Sequence, residues 1–100
     1  MKRTEHAHAV DPVLKDQALV RLKRIEGQIR GISRMVDDER YCADILTQIT
    51  AVQESLRAAA RILLRNHIQH CASDAIRSSD AGRRERMYDE LTELFGKLVR

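Results

Sequence analysis

The sequence predicts an all-α protein with three helices per protomer, and three observations predict it. Turn-formers are scarce, with one Pro and four Gly in 100 residues. Apolar residues recur at alternating four- and three-residue steps in three separate stretches, the spacing of one helix face. The longest Gly- and Pro-free stretch contains Cys42 to Cys71, so nothing there interrupts a helix.

Residues 1–10 read as a flexible tail and residues 11–100 as a single helical domain. The tail carries His6 and His8, which are either ordinary tail residues or extra metal ligands reaching back to a site. Asp11-Pro12 is a helix start, with Asp as the cap and Pro at the first helical position. The first helix runs to about Val36 on a stripe of Ala18, Leu22, Ile25, Ile29, Ile32 and Val36, a coiled-coil-like spacing. Gly27 and Gly31 lie one turn apart inside it. Each costs about 1 kcal/mol against Ala, which a close helix approach would offset.

Asp37-Asp38-Glu39-Arg40 is a short connection, so the first two helices should pack as an antiparallel hairpin. The second helix carries Ile45, Ile49, Val52, Leu56, Ala59 and Leu63 and continues to about Arg77. Cys42 sits in its first turn, where the helix dipole favours an anion such as a thiolate. Ser78-Ser79-Asp80-Ala81-Gly82 reads as a loop, with Ser79 or Asp80 placed to cap a third helix from about Arg83 to Leu98. Met87, Leu91, Leu94 and Leu98 form the apolar face of that helix.

Composition excludes several functions. No apolar run reaches the length of a membrane span, and the N-terminus lacks a signal-peptide core. A cytoplasmic protein is expected, where thiols stay reduced and two cysteines point to metal or redox chemistry more than to a structural disulfide. No nucleophile–base–orienter set, phosphate-cradling loop or nucleotide motif can be assembled, so no enzyme is expected and no residue is assigned as catalytic.

The formal net charge is +3, but the charge is segregated. From Lys15 to Arg34 there are six basic residues, including Arg21, Lys23, Arg24 and Arg30, against two acids. Arg57, Arg61 and Arg65 follow at four-residue spacing with no acid from Ser55 to Ser73, and the two stretches together carry +7. A solvated charged face is the ordinary reading of such runs. The sign bias instead suggests a polyanion-binding face, and double-stranded DNA suits it better than single strands because aromatics for base stacking are few.

His67 and Cys71 are four apart and project from one helical face, where they can grip one ion. Cys42 lies 25 residues before His67, about 37 Å along an unbroken helix. Metal–ligand bonds are only about 2.0–2.3 Å long. If Cys42, His67 and Cys71 form one site, the helix must meet a second copy running antiparallel. The two-fold axis then falls near Ser55 and Leu56, and two sites form at once. Two thiolates and one imidazole are a soft set that selects Cu(I) or Zn(II), and three ligands favour trigonal Cu(I). His70 reads as solvated rather than as a fourth ligand.

The segments Arg21-Leu22-Lys23-Arg24-Ile25-Glu26-Gly27-Gln28-Ile29-Arg30-Gly31, Met35-Val36, Tyr41-Cys42, Leu46-Thr47-Gln48-Ile49-Thr50-Ala51-Val52 and Asn66-His67-Ile68-Gln69-His70-Cys71 resemble the copper-sensing operon repressor family (CsoR/RcnR). The resemblance spans roughly residues 14 to 98. It implies a three-helix protomer in an antiparallel helical dimer, with dimers pairing into a tetramer. It also implies a repressor that binds operator DNA without inducer and releases it when the inducer binds. Cys42, His67 and Cys71 match the copper ligands of the family's copper sensors. Tyr41 and Glu90 match positions that hydrogen-bond near that copper, although the loop before the third helix is longer here. Arg21, and less closely Arg61 and its neighbours, match DNA-binding basic residues.

Departures discriminate among inducers. Nickel and cobalt sensors carry an extra N-terminal His where this chain has Val10. Persulfide sensors lack the His found here at position 67, and formaldehyde sensors lack the Cys found here at position 71. Cu(I) fits best. Sensing of nickel or cobalt, reactive sulfur or an aldehyde within the same family is the alternative reading. A small copper-buffering protein or a dithiol redox switch stands outside the family.

Overall fold

A computed structural model describes residues 9–98; His6 and His8 lie outside the described residues. Among those residues the secondary structure is entirely helical, as expected. Helix α1 spans Pro12–Asp37 and α2 spans Cys42–Asn66. A π-helical segment, His67–Ala72, joins α2 to the short α3, Ser73–Arg77. Helix α4 spans Ala81–Leu98. Asn66, Ala72 and Ser73 all keep right-handed helical dihedrals, so the chain stays helical through both junctions. The second expected helix is therefore present to Arg77, but it is not uniformly α. No helix among the described residues is long and apolar enough to cross a membrane.

The chain divides into two compact units. The first described here is the hairpin of Pro12–Leu63. Its turn follows from how α1 ends. The Arg40 N–H donates to the Met35 carbonyl at 2.9 Å and the Glu39 N–H to the Val36 carbonyl at 3.1 Å, while Glu39 takes a left-handed φ of 54°. This is a Schellman ending with Glu where Gly is usual, so it carries a conformational penalty. The Asp44 and Ile45 N–H groups then donate to the Tyr41 carbonyl and start α2.

Ala18 and Ile25 of α1 and Val52 and Ala59 of α2 are buried. Ala18 and Ala59 lie equally far from the turn, as do Ile25 and Val52, which is the register of an antiparallel hairpin. The expected stripes are split by this packing. Leu22, Ile29 and Val36 are exposed, as are Ile49, Leu56 and Leu63. Besides Gly27 and Gly31, the half-buried positions of α1 are Leu14, Arg21, Gln28, Ile32 and Met35, so Ile32 of the expected stripe joins Ala18 and Ile25 on the covered side. Each helix thus has two apolar seams. Periodicity located the apolar face but not which of its edges meets the other helix of the hairpin.

Arg21 is half-buried beside the hairpin core, as its long aliphatic stem permits, and so does not lie on the fully solvated face that is the ordinary reading of its basic run. The glycines do not mark a close approach inside the protomer. A Cβ built on Gly31 meets nothing within 4 Å among the described residues, and one on Gly27 meets the end of Arg30 at 3.7 Å.

The second unit is the segment ending at Asp11 together with the chain from Leu64 onward. Ala72 and Ala75 are its buried residues, and their small side chains let α3 pack on α4. Asp80 caps α4, accepting from the N–H groups of Gly82 at 3.0 Å and Arg83 at 3.3 Å. This fixes the start of α4 at Ala81, two residues before the expected one. The Arg83 guanidinium pairs with Asp74 at 2.8 Å and Arg84 donates to the Ser78 carbonyl at 2.7 Å, which ties the loop to both flanking helices.

Candidate metal centre

Cys42 is the first residue of α2 and is an exposed, free thiol. Tyr41, just before it, is 74% exposed at the hairpin turn. Helix α2 has 25 residues, about 37 Å of helical rise, before the chain reaches His67. The long element that the spacing argument needs is therefore present without a break.

His67, His70 and Cys71 all lie in the π segment. Such segments are rare and occur often at functional sites. The wider winding is seen at Ser73, whose N–H reaches the carbonyls of Ile68 and His70. His67 and Cys71 are partly buried, and the Cys71 thiol is free.

Helix α4 contributes Glu90. Its Oε2 lies 3.5 Å from His67 Nε2, with both side chains about 30% exposed. That separation is an ion-pair distance but too long for a good hydrogen bond. His67 Nε2 is correspondingly buried without a hydrogen-bond partner. A small rotation of the ring or the carboxylate would close the gap. With Nε2 directed at Glu90, Nδ1 is the imidazole nitrogen left for a metal. The Glu90 position, less closely matched by resemblance because of the longer loop, is thus brought to His67 by the fold.

His70 differs from its expectation. It is half-buried, and its Nε2 is buried without a hydrogen-bond partner. The π winding shifts the direction of each residue after Asn66, so α-helical spacing from His67 and Cys71 misjudged its exposure. Among the described residues, no group of three or more His, Cys, Asp and Glu side chains in this chain is gathered so as to hold a metal.

Sequence reasoning also passed over Asn66. Its side-chain Oδ1 accepts the Asp11 N–H at 2.8 Å, and its Nδ2 donates to the Ala9 carbonyl at 3.1 Å. No periodicity or spacing signals a contact between residues more than fifty positions apart.

The six expected DNA-contacting residues all belong to the hairpin unit. Lys23, Arg24, Arg30, Arg57 and Arg61 are exposed, and Arg21 is half-buried. Arg57 is paired with Glu54 at 2.7 Å and Arg30 with Glu26 at 3.6 Å. All four side chains are more than half exposed, so these pairs are weak and can yield to a phosphate.

A model of the metal-sensitive transcriptional repressor family matches residues 14–97. The copper-sensing transcriptional repressor CsoR of Bacillus subtilis is 50% identical over 86 residues, covering 86% of this chain and 82% of its own. The copper-sensing repressor RicR of Mycobacterium tuberculosis is 47% identical over 68 residues, covering 68% and 71%. Among solved structures, CsoR with Cu(I) from Geobacillus thermodenitrificans superposes with a TM-score of 0.78 at 39% identity, covering 95% of this chain and 98% of that one. The nickel-responsive regulator InrS superposes with a TM-score of 0.64 at 33% identity, covering 93% and 99%. With nearly the whole chain matched in sequence and in fold, the protein belongs to the metal-sensitive transcriptional repressor family.

Proposed function

We propose that this protein is a Cu(I)-responsive transcriptional repressor. As the apoprotein it binds operator DNA in the cytoplasm, and Cu(I) binding releases it, derepressing copper-resistance genes. The observation that carries the reading is the partly buried His67 and Cys71 in a π segment, with Glu90 behind the imidazole. The relatives named for copper sensing support it.

The donors fit the ion. His67, Cys71 and the partner subunit's Cys42 would hold Cu(I), giving two soft thiolates and one imidazole in a three-ligand set. The Nε2 of His67, facing the Glu90 carboxylate at 3.5 Å, fits a ring whose other nitrogen serves as the ligand. Nickel, the ion in the name of InrS, is less well served by two thiolates and no further nitrogen. Bound Cu(I) supplies a soft Lewis acid that cross-links these donors.

The chain's own residues do the rest. Glu90 orients the His67 ring from α4. The exposed seams of Leu22, Ile29, Val36, Ile49, Leu56 and Leu63 are apolar surface that an antiparallel partner would cover, placing Cys42 beside the other chain's π segment. Dimers would pair into tetramers. The exposed arginines and lysine of the hairpin engage DNA phosphates, and Arg21 borders them. Linkage requires Cu(I) to bind the free protein more tightly than the DNA-bound protein.

The test is a fluorescence-anisotropy titration of the genomic duplex that the apoprotein binds most tightly, with and without anaerobic Cu(I). DNA affinity should fall by about tenfold or more when Cu(I) is stoichiometric. Equal affinity in both states would overturn the reading, and an apoprotein with no sequence-specific DNA binding would favour a copper buffer.

A further inference from the structure

We propose that the face of α1 at Gly27 and Gly31 is a seat for a DNA phosphate, walled by Lys23, Arg24, Arg30 and Arg34. The proposal rests on the reading of the protein as a DNA-binding repressor. It adds the place where the duplex backbone comes down onto the helix.

Contacts inside the hairpin do not call for these glycines. Among the described residues, a Cβ built on Gly31 meets nothing within 4 Å, and one on Gly27 meets only the end of Arg30 at 3.7 Å. Neither glycine has a positive φ, so Ala adopts the same backbone. Both lie inside the 26-residue α1, where Gly weakens a helix relative to Ala. They also point away from the packed surfaces. At about 100° per residue, each glycine lies about 160° round the helix from Ile29 on the exposed apolar seam. Gly27 is about 160° and Gly31 about 120° from the buried Ile25. A glycine off the core and off the seam bares the backbone to a ligand that approaches closely.

Cations surround this bare strip. Lys23 and Arg24 precede Gly27 by four and three positions, and Arg30 follows it by three. Arg34 follows Gly31 by three. These are the spacings of neighbours on a helix surface, and all four side chains are exposed. The nearby acid, Glu26, lies 3.6 Å from Arg30, with the two side chains 68% and 66% exposed. Such a pair is weak and yields to a phosphate. A phosphodiester fits this shape. It is a compact anion whose oxygens match the Arg fork, and Lys adds a point charge. Without a Cβ beneath it, the phosphate sits low enough for side chains on both sides of the strip to reach it together. Arg34 thereby joins the DNA-contacting residues, and the two glycines act as positioning residues.

The test compares wild type, Gly27→Ala/Gly31→Ala and Arg34→Ala. Four quantities are read on the apoprotein: thermal midpoint, affinity for the genomic duplex it binds most tightly, salt dependence of that affinity, and sedimentation coefficient. The double Ala variant should melt higher than wild type, because Ala favours the helix and meets no clash. Its duplex affinity should nonetheless fall by about tenfold, with an unchanged sedimentation coefficient. A glycine needed for packing would lose stability and affinity together. Arg34→Ala should lower the slope of log affinity against log salt by about 1.

A double variant that binds the duplex as tightly as wild type would overturn the seat, as would an unchanged salt slope in Arg34→Ala. A smaller sedimentation coefficient in the double variant would also overturn it, assigning the glycines to a helix–helix contact between copies. Should the double variant fail to fold, Gly31→Ala alone decides by the same readouts. If wild-type apoprotein binds no duplex specifically, the repressor reading fails separately, as a wild-type result.

Discussion

Glu90 of α4 places its Oε2 3.5 Å from Nε2 of His67 in the π segment. The pair links the helix at the end of the chain to the imidazole proposed as a Cu(I) ligand. A carboxylate behind a ligating His fixes its tautomer and ring orientation.

Replacing that carboxylate should separate binding from response. In Glu90→Gln, Cu(I) affinity should drop by about tenfold or less, while Cu(I)-induced release of DNA weakens by about tenfold or more. Chelator competition and anisotropy on the same samples check this. Loss of binding with response intact at saturating Cu(I) would make Glu90 a simple affinity determinant.

The hairpin turn carries a conformational cost at Glu39, which adopts φ 54° at the Schellman position. Glu39→Gly should raise stability by up to about 1 kcal/mol. Chemical denaturation measures the shift, and an unchanged or lower midpoint would contradict it.

Leu56 is exposed on the outer seam of α2, near the proposed two-fold axis. Burying a Leu is worth about 1.5–3 kcal/mol, and a dimer would bury it in both copies. Leu56→Glu should therefore dissociate the assembly to monomers while keeping helical content. Sedimentation velocity with circular dichroism checks both, and an unchanged assembly would remove this seam from the interface.

Arg61 is exposed and Arg57 only weakly engaged by Glu54. If each meets a phosphate, wild-type DNA affinity should fall steeply with salt. Each Arg→Ala change should then lower the slope of log affinity against log salt by about 1. A flat wild-type response would mean that this face does not contact DNA.

Much of this architecture was legible in the residues. Apolar spacing and the absence of Gly or Pro placed the helices, and the choice of Ser79 or Asp80 as cap put the start of the last one within two residues of Ala81. The lengths of the helices and the separation of Cys42 from His67 followed from the same reading. Three features were not legible, each for a physical reason. The π winding over His67–Ala72 changes hydrogen-bond partners without changing residue types. The choice between Leu22 and Arg21 as the inner edge of α1 depends on which neighbour covers which seam, and a helix with two apolar seams satisfies the same periodicity either way. The Asn66 bonds to Ala9 and Asp11 join distant parts of the chain through polar groups that could equally have been solvated. Glu90 was found through family resemblance and not through spacing.

The central claim is that each Cu(I) site draws Cys42 from one chain and His67 with Cys71 from another. Mixed dimers test it most directly. Cys42→Ala and Cys71→Ala homodimers should each bind Cu(I) weakly, since every site lacks a thiolate. A heterodimer of the two variants, purified with different tags, rebuilds one complete site from the intact Cys42 of one chain and the intact His67 and Cys71 of the other. The account predicts one tightly bound Cu(I) per heterodimer, with affinity near that of wild type. A heterodimer that binds no more tightly than the two homodimers would contradict it.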